Sequence, residues 1–312
     1  MGEEPQVRVV ATGLRFPEGP VALPDGSLLV VEVRGGTLSR VLADGAIETV
    51  AQLDPSGNGG PNGAAIGPDG AAYVCNNGGF AWSTRNGLEI PIDPETGGNV
   101  PPGFTGGWID RVDLRTGEHT VLYRDCDGVP FTGPNDIVFD ETGGFWFTDL
   151  GKSHPRSWDK GGVYYARADG SDVQRVIYPL LTPNGIGLSP DGSTLYVAES
   201  HTGRLWAFDL DGPGRLRPAE RGHGGRCIAN TLGHFDSLAV DSAGYVVVAA
   251  ISDGLCVVAP DGSGHSYVPM PDPMTTNVCF GGNDLRTAFV TLSGSGRIVA
   301  LEWPRPGLAL AF

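Results

Sequence analysis

Two stretches, Val21-Ala-Leu-Pro-Asp-Gly-Ser-Leu-Leu-Val30 and Ala65-Ile-Gly-Pro-Asp-Gly-Ala-Ala-Tyr-Val74, follow one plan: an apolar strand, a Pro-Asp-Gly turn and a second apolar strand. The plan returns over residues 137–147, 186–197, 238–248 and 278–290. Each turn is rich in Asp, Gly or Asn, which tolerate the positive φ of a tight hairpin. Six copies of one hairpin mark a repeat fold, in which each unit buries its apolar faces only against its neighbours.

Working outward, a third strand follows each hairpin, opened by Gly36, Gly107, Gly162, Gly203, Gly254 and Gly296. Fourth strands are expected over 47–53, 119–124, 173–178 and 266–268, and for the fourth copy within 216–221. The units are thus four-stranded blades of roughly 50 residues, which predicts an all-β, six-bladed β-propeller forming a single domain over 1–312. The sixth copy supplies only three strands. Residues 7–11 are expected to provide its fourth, closing the ring and removing the open sheet edges.

The totals agree with this reading. Gly 49 and Pro 25 punctuate the whole chain, and 40% hydrophobic residues suit a folded core rather than a linker. Asp and Glu (36) outnumber Lys and Arg (21), a formal charge of −15. That balance argues against nucleic acid or an anionic membrane as partner, and favours a small, neutral or cationic substrate. Cys75, Cys126, Cys227, Cys256 and Cys279 are scattered without metal-ligand spacing, as expected of free thiols in a reducing compartment. The N-terminal Met1-Gly2-Glu3-Glu4-Pro5 has no apolar core, and no apolar run approaches a membrane span. The chain is expected to be cytoplasmic.

The site is read from the residue just before each first strand. These residues are Glu18, Asn62, Asn135, Asn184, Asp236 and Asn277, all Asn, Asp or Glu. In a propeller the first strand of each blade lines the central channel, so the six side chains should ring one mouth of it. Converging acceptors need a cation between them. Carboxylates mixed with amide oxygens suit a hard divalent ion, Ca²⁺ first, with Mg²⁺, Mn²⁺ or Zn²⁺ as other occupants. A second tier follows the second strands: Glu32, Asn76, Asp149, Glu199 and Ser293. It either touches substrate or caps the sheets. His201 and His234 lie near both tiers. An extra stretch, 76–106, carries Phe80, Trp82 and Phe104 and is expected to be a lid. Residues 151–162, with His154, Arg156 and Trp158, are a second candidate for the same rim.

The motifs Phe16-Pro-Glu-Gly-Pro20, Gly133-Pro-Asn-Asp136, Thr182-Pro-Asn-Gly-Ile186 and Phe235-Asp-Ser-Leu-Ala-Val-Asp241 together resemble the senescence marker protein (regucalcin)/gluconolactonase family of metal-dependent six-bladed propellers. The resemblance covers essentially the whole chain. It implies one divalent cation held by Glu18, Asn135, Asn184 and Asp236, with Asn135 as ligand or substrate contact. Asn62, Asn277, Asp149 and Glu199 are then expected at the substrate. The reaction implied is the opening of a lactone by a metal-polarised carbonyl and an activated water. Asp236 is the candidate general base, and a nucleophile activated by the metal is the alternative. Non-hydrolytic cyclisation, phosphotriester hydrolysis and a non-catalytic calcium-binding propeller remain as alternative uses of the site. No Gly-x-Ser-x-Gly elbow supports a serine nucleophile.

Overall fold

The computed structural model describes residues 6–54, 57, 59–220 and 222–312. It contains six four-stranded antiparallel sheets. The inner strands, in blade order, are Pro17–Ala22, Pro61–Ile66, Pro134–Phe139, Pro183–Leu188, His234–Val240 and Thr275–Gly281. The second strands are Leu28–Glu32, Ala72–Asn76, Gly144–Asp149, Thr194–Glu199, Val246–Ile251 and Thr287–Leu292. Arg8–Thr12 pairs with Arg297–Glu302, so the sixth blade is completed from the start of the chain as expected.

Between neighbouring blades lie separate apolar layers. One joins Tyr73 and Cys75 of the second blade to Phe139, Phe145 and Phe147 of the third. Another joins Trp146 and Tyr165 of the third to Ile186 and Leu195 of the fourth. Second strands are packed on both faces, which is why Leu28–Glu32 and Ala72–Asn76 are buried at every residue instead of alternating.

One strand differs from expectation. The fourth strand of the fourth blade is Arg226–Ala229, pairing through Trp206 and Cys227, not a segment within 216–221. Leu216 instead makes a single bridge to Leu210 across a Gly212-Pro213-Gly214 turn, and Pro218 has no N–H to extend a ladder. Arg221 lies outside the described residues.

Three short two-stranded ribbons decorate the blades: Ser83–Arg85 with Leu88–Ile90, Asp125–Cys126 with Val129–Pro130, and Ser153–His154 with Ser157–Trp158. Among the described residues no helix is long and apolar enough to cross a membrane. Cys75, Cys126 and Cys256 are buried thiols and Cys227 is exposed; none of the five forms a disulfide.

Candidate metal centre and channel mouth

Pairing fixes which end of the channel carries the polar ring. Pro17 faces Glu32, Pro61 faces Asn76, Pro134 faces Asp149 and Pro183 faces Glu199, so inner strands begin where second strands end. The next step in each ladder is a bulge, between Glu18 and Val21, Pro61 and Ala64, Pro134 and Ile137, Pro183 and Ile186, Phe235 and Leu238, and Thr275 and Asn277. A bulge re-aims the side chains it contains. All six ring residues sit in or at the edge of one, which is how one repeat position turns toward the axis.

The glycines after the ring residues let the inner strands crowd together. A Cβ on Gly19 would lie 2.7 Å from the Ala64 nitrogen, and one on Gly185 would lie 2.6 Å from the Leu238 nitrogen. Blade three has Asp136 at this position. Its carboxylate accepts from the Ile137 N–H at 2.9 Å and from the Ile186 N–H of the next blade at 3.3 Å. Sequence reasoning missed Asp136. The signal was available, because Pro-Asn-Asp stands where blades two and four have Pro-Asn-Gly.

Glu18, Asn62, Asn135, Asn184 and Asn277 are buried, and Asp236 is partly accessible. Glu18 Oε2 accepts from Asn277 Nδ2 at 2.9 Å and from the Gly19 N–H at 3.1 Å. Asn184 Nδ2 donates to Ser200 Oγ at 3.0 Å, which leaves its Oδ1 with only a long contact from Ser237 Oγ at 3.5 Å. Asn135 Oδ1 is buried with no hydrogen-bond partner. Burial pushes Glu18 up to about 7, against donors from Thr276, Asn277 and Gly19. Asp136 is likewise raised to about 7, by burial and then by the charge of Glu18. Asp236 is held well above the carboxylate range by burial, by Glu18 and by Asp136. The ion pairs found among the described residues involve none of these three acids.

A buried amide oxygen without a donor, on the same ring as carboxylates of which Glu18 raises both Asp136 and Asp236, is what a cation would satisfy. The residues present fit a hard divalent ion, with Glu18, Asn135, Asn184 and Asp236 as donors. Among the described residues no group of three or more His, Cys, Asp and Glu is arranged to hold a metal. A site of two carboxylates and two side-chain amides falls outside that pattern.

The outer tier is placed differently from the expected substrate contacts. Asp149 accepts from the Thr132 N–H at 2.9 Å, the Gly133 N–H at 2.6 Å, the Gly151 N–H at 3.1 Å and Thr132 Oγ1 at 3.2 Å. Glu199 accepts from the Leu181 N–H at 2.7 Å and Thr202 Oγ1 at 2.8 Å. Glu32 accepts from the Arg15 N–H at 2.8 Å and Ser39 Oγ at 2.6 Å. Each carboxylate ties down the loop that leads into its own blade's inner strand. Asp149 and Glu199 thus anchor these loops through backbone and hydroxyl donors. Asn76 Oδ1 instead accepts from the Gly78 N–H at 3.1 Å, in the insertion after its own strand, and Ser293 Oγ donates at 2.5 Å to the Pro17 carbonyl of the neighbouring first blade.

Residues 76–106 lie over one arc of the mouth. Phe80 and Trp82 pack on Phe16, Val33 and Met274 of blades one and six. Arg34 ion-pairs with Glu89 at 2.5 Å. On the other side, buried Lys152 donates to the Gly79 carbonyl at 2.6 Å and lies over the rings of Phe80 and Phe104. Burial lowers this lysine to about 7. Trp158, His201 and His234 follow one another with ring centroids 4.9 and 5.0 Å apart in succession. Partial desolvation lowers the pKa of both histidines although each keeps an exposed edge, and the charge of His201 adds to the shift at His234.

Below the ring the channel widens into a cavity of about 1030 Å³, with Asp136 and Asn277 at its upper end and Val21, Ile137, Leu238 and Phe280 among its walls.

The fold is a six-bladed propeller with a polar ring at one end of its inner strands. Residues 16–294 match the SMP-30/Gluconolactonase/LRE-like region, and the chain belongs to that family. It is similar to a gluconolactonase of Zymomonas mobilis, 26% identical with 92% of this chain and 79% of that protein covered. It is also similar to a lactonase drp35 of Staphylococcus saprophyticus, 33% identical over 66% of this chain and 55% of that one. Among solved structures, a calcium-binding protein, regucalcin, from Agrobacterium tumefaciens superposes with a TM-score of 0.71 at 19% identity, covering 98% of each chain.

Proposed function

We propose that this protein is a lactonase that opens a neutral lactone with the help of one divalent cation, calcium first, held by Glu18, Asn135, Asn184 and Asp236. The observation that carries this reading is the unsatisfied mouth. Asn135 Oδ1 has no donor there, while burial raises Glu18, and its charge adds to burial in raising Asp136 and Asp236, with no cationic side chain paired to them among the described residues. The lactonases among its relatives and the calcium-binding structural neighbour support the substrate class and the ion.

When bound, the cation supplies Lewis-acid polarisation of the lactone carbonyl. Asp236 is the accessible carboxylate of the ring and takes the proton of the attacking water. The water oxygen bonds to the carbonyl carbon, and the ring C–O bond then breaks. The former ring oxygen receives the proton, giving a hydroxy acid whose carboxyl group releases its own proton and is ionised at neutral pH. Asn277 holds Glu18 in place, Asn184 is oriented by Ser200, and Asn62 and Asn277 border the space for substrate. Asp149, Glu199 and Glu32 act only by fixing the loops that feed the ring.

The test is proton release from a panel of γ- and δ-lactones with chelator-stripped protein, before and after adding Ca²⁺, Mg²⁺, Mn²⁺ or Zn²⁺. Activity restored by metal is the expected result. A silent panel with a metal demonstrably bound would overturn hydrolysis and turn attention to phosphotriesters. Hydrolysis unaffected by chelation would overturn the role of the ion.

A further inference from the structure

One buried cation has no part in the chemistry described so far. Lys152 of blade three is only 2% exposed. Its backbone is fixed by Asp159, whose Oδ2 accepts from the Lys152 N–H at 3.1 Å and whose N–H donates to the Lys152 carbonyl at 2.9 Å. Its ammonium reaches into the insertion, donating to the Gly79 carbonyl at 2.6 Å with the ring centroids of Phe80 and Phe104 at 4.2 and 4.9 Å. Burying a lysine is unfavourable, and a carbonyl with two aromatic faces offsets part of that cost.

The turn that Lys152 grips, Asn77-Gly78-Gly79-Phe80, has its own N–H groups satisfied locally. Asn76 Oδ1 and Asn77 Oδ1 accept from the Gly78 and Gly79 N–H at 3.1 and 2.8 Å. From this joint, contacts run to three blades, and each meets the chain two residues ahead of a ring residue. In blade two the Asn77 N–H donates to the Gly60 carbonyl at 2.7 Å, and a Cβ on Gly60 would lie 3.1 Å from the Gly79 nitrogen. The turn therefore sits on the approach to Asn62. In blade one Phe80 packs on Phe16, ahead of Glu18. In blade three the Leu150 N–H donates to the Gly133 carbonyl at 2.8 Å, and a Cβ on Gly133 would lie 2.7 Å from the Gly151 oxygen. Gly133 leads to Asn135, and Gly151 leads directly to Lys152. Asn184 and Asp236, on blades four and five, lie outside these three contacts.

We propose that Lys152 is a positioning residue for the polar ring: by holding the Asn77–Phe80 turn it fixes the approaches of blades one, two and three, and with them Glu18, Asn62 and Asn135. This rests on the reading of the ring as a lactonase metal centre. Lys152 then acts on the binding of ion and substrate, whereas Asp236, the base, is beyond its reach.

The test is Lys152→Met, which keeps the length and packing of the side chain and removes its charge and its donor. In metal-free protein, amide exchange over 16–19, 59–62 and 77–82 should quicken roughly tenfold, with 183–188 and 234–240 unchanged. Calcium affinity by calorimetry should fall about three- to tenfold. At saturating calcium the KM for γ-butyrolactone should rise by a similar about three- to tenfold, with kcat within about twofold. Faster exchange confined to 77–82 with unchanged calcium affinity would overturn the proposal, because Lys152 would hold the insertion and not the ring. Faster exchange in all blades alike would overturn it as general destabilisation. If Lys152→Met does not fold, Phe104→Leu removes one aromatic face from the ammonium without touching a ring residue. The same pattern at smaller size supports the proposal there, and unaltered exchange overturns it. If the wild type opens no lactone or binds no calcium, the lactonase reading falls, and the exchange pattern alone decides the role of Lys152.

Discussion

Glu18, Asp136 and Asp236 on the inner ring and Glu32, Asp149 and Glu199 on the outer tier are six acids near one end of one channel, yet their surroundings are opposite. The outer acids each meet loop donors, and Asp149 alone takes three backbone N–H groups and a hydroxyl. The inner acids have donors too, Glu18 from Thr276, Asn277 and Gly19, but they also meet each other's charge, so that Glu18 and Asp136 both raise Asp236. Carboxylates whose oxygens are saturated by the chain are structural. Carboxylates left to repel one another are where the chain leaves room for a ligand. Position in the repeat alone does not make this distinction, because both tiers recur from blade to blade.

The largest effect should come from the inner tier. Asp236→Asn removes the accessible base and is expected to lower kcat by about 10²- to 10⁴-fold. The same change removes a charge that Glu18 and Asp136 oppose, so the melting temperature of the metal-free protein should hold or rise. Turnover near the wild-type value would take Asp236 out of the mechanism. Next, Glu18→Gln should weaken calcium binding by at least about tenfold in calorimetry. An unchanged affinity would show that the ion, if any, is held elsewhere.

How far the sequence went follows from the same contrast. The six hairpins made the propeller legible, because Gly, Asn and Asp turns between apolar strands recur at one period. The ring was legible as six acceptors at one repeat position. The division of labour between tiers was not, because it depends on where loops such as 132–133 and 181 place their N–H groups, and no side-chain pattern encodes that. Asp136 escaped for a related reason. It reads as the second half of an Asn-Asp turn, and only the close approach of neighbouring inner strands shows that it replaces a glycine. The misplaced fourth strand of blade four shows the limit of local pattern, since pairing with Trp206 favours Cys227 over the nearer Leu216.

The outer tier provides the converse test. Asp149→Ala strands the buried N–H groups of Thr132, Gly133 and Gly151, and should cost about 2–3 kcal/mol in denaturant unfolding. At 25 °C the surviving folded protein should keep its kcat within a few fold. A loss of turnover as deep as that of Asp236→Asn, without loss of stability, would place Asp149 at the substrate and collapse the distinction between the tiers.

The smallest expected effect, and the most direct reading of the inner tier, is the pH dependence of stability in chelator-treated protein. Glu18 and Asp136 each stand at about 7 in the fold, against ordinary values of 4.5 and 3.8. Between those limits the folded chain binds more protons than the unfolded one, so stability falls as pH rises. The loss is absent below the ordinary values and complete above about 7. Lys152, lowered to about 7, acts with the opposite sign, but above that pH, where the unfolded chain keeps a proton the fold has lost. The melting temperature of metal-free protein should therefore decline between about pH 5 and 7, and saturating calcium should flatten the decline, because a cation favours the ionised acids. A slope in this window unchanged by calcium would mean that the inner acids are not the groups the ion meets, and would remove the physical distinction between the two tiers.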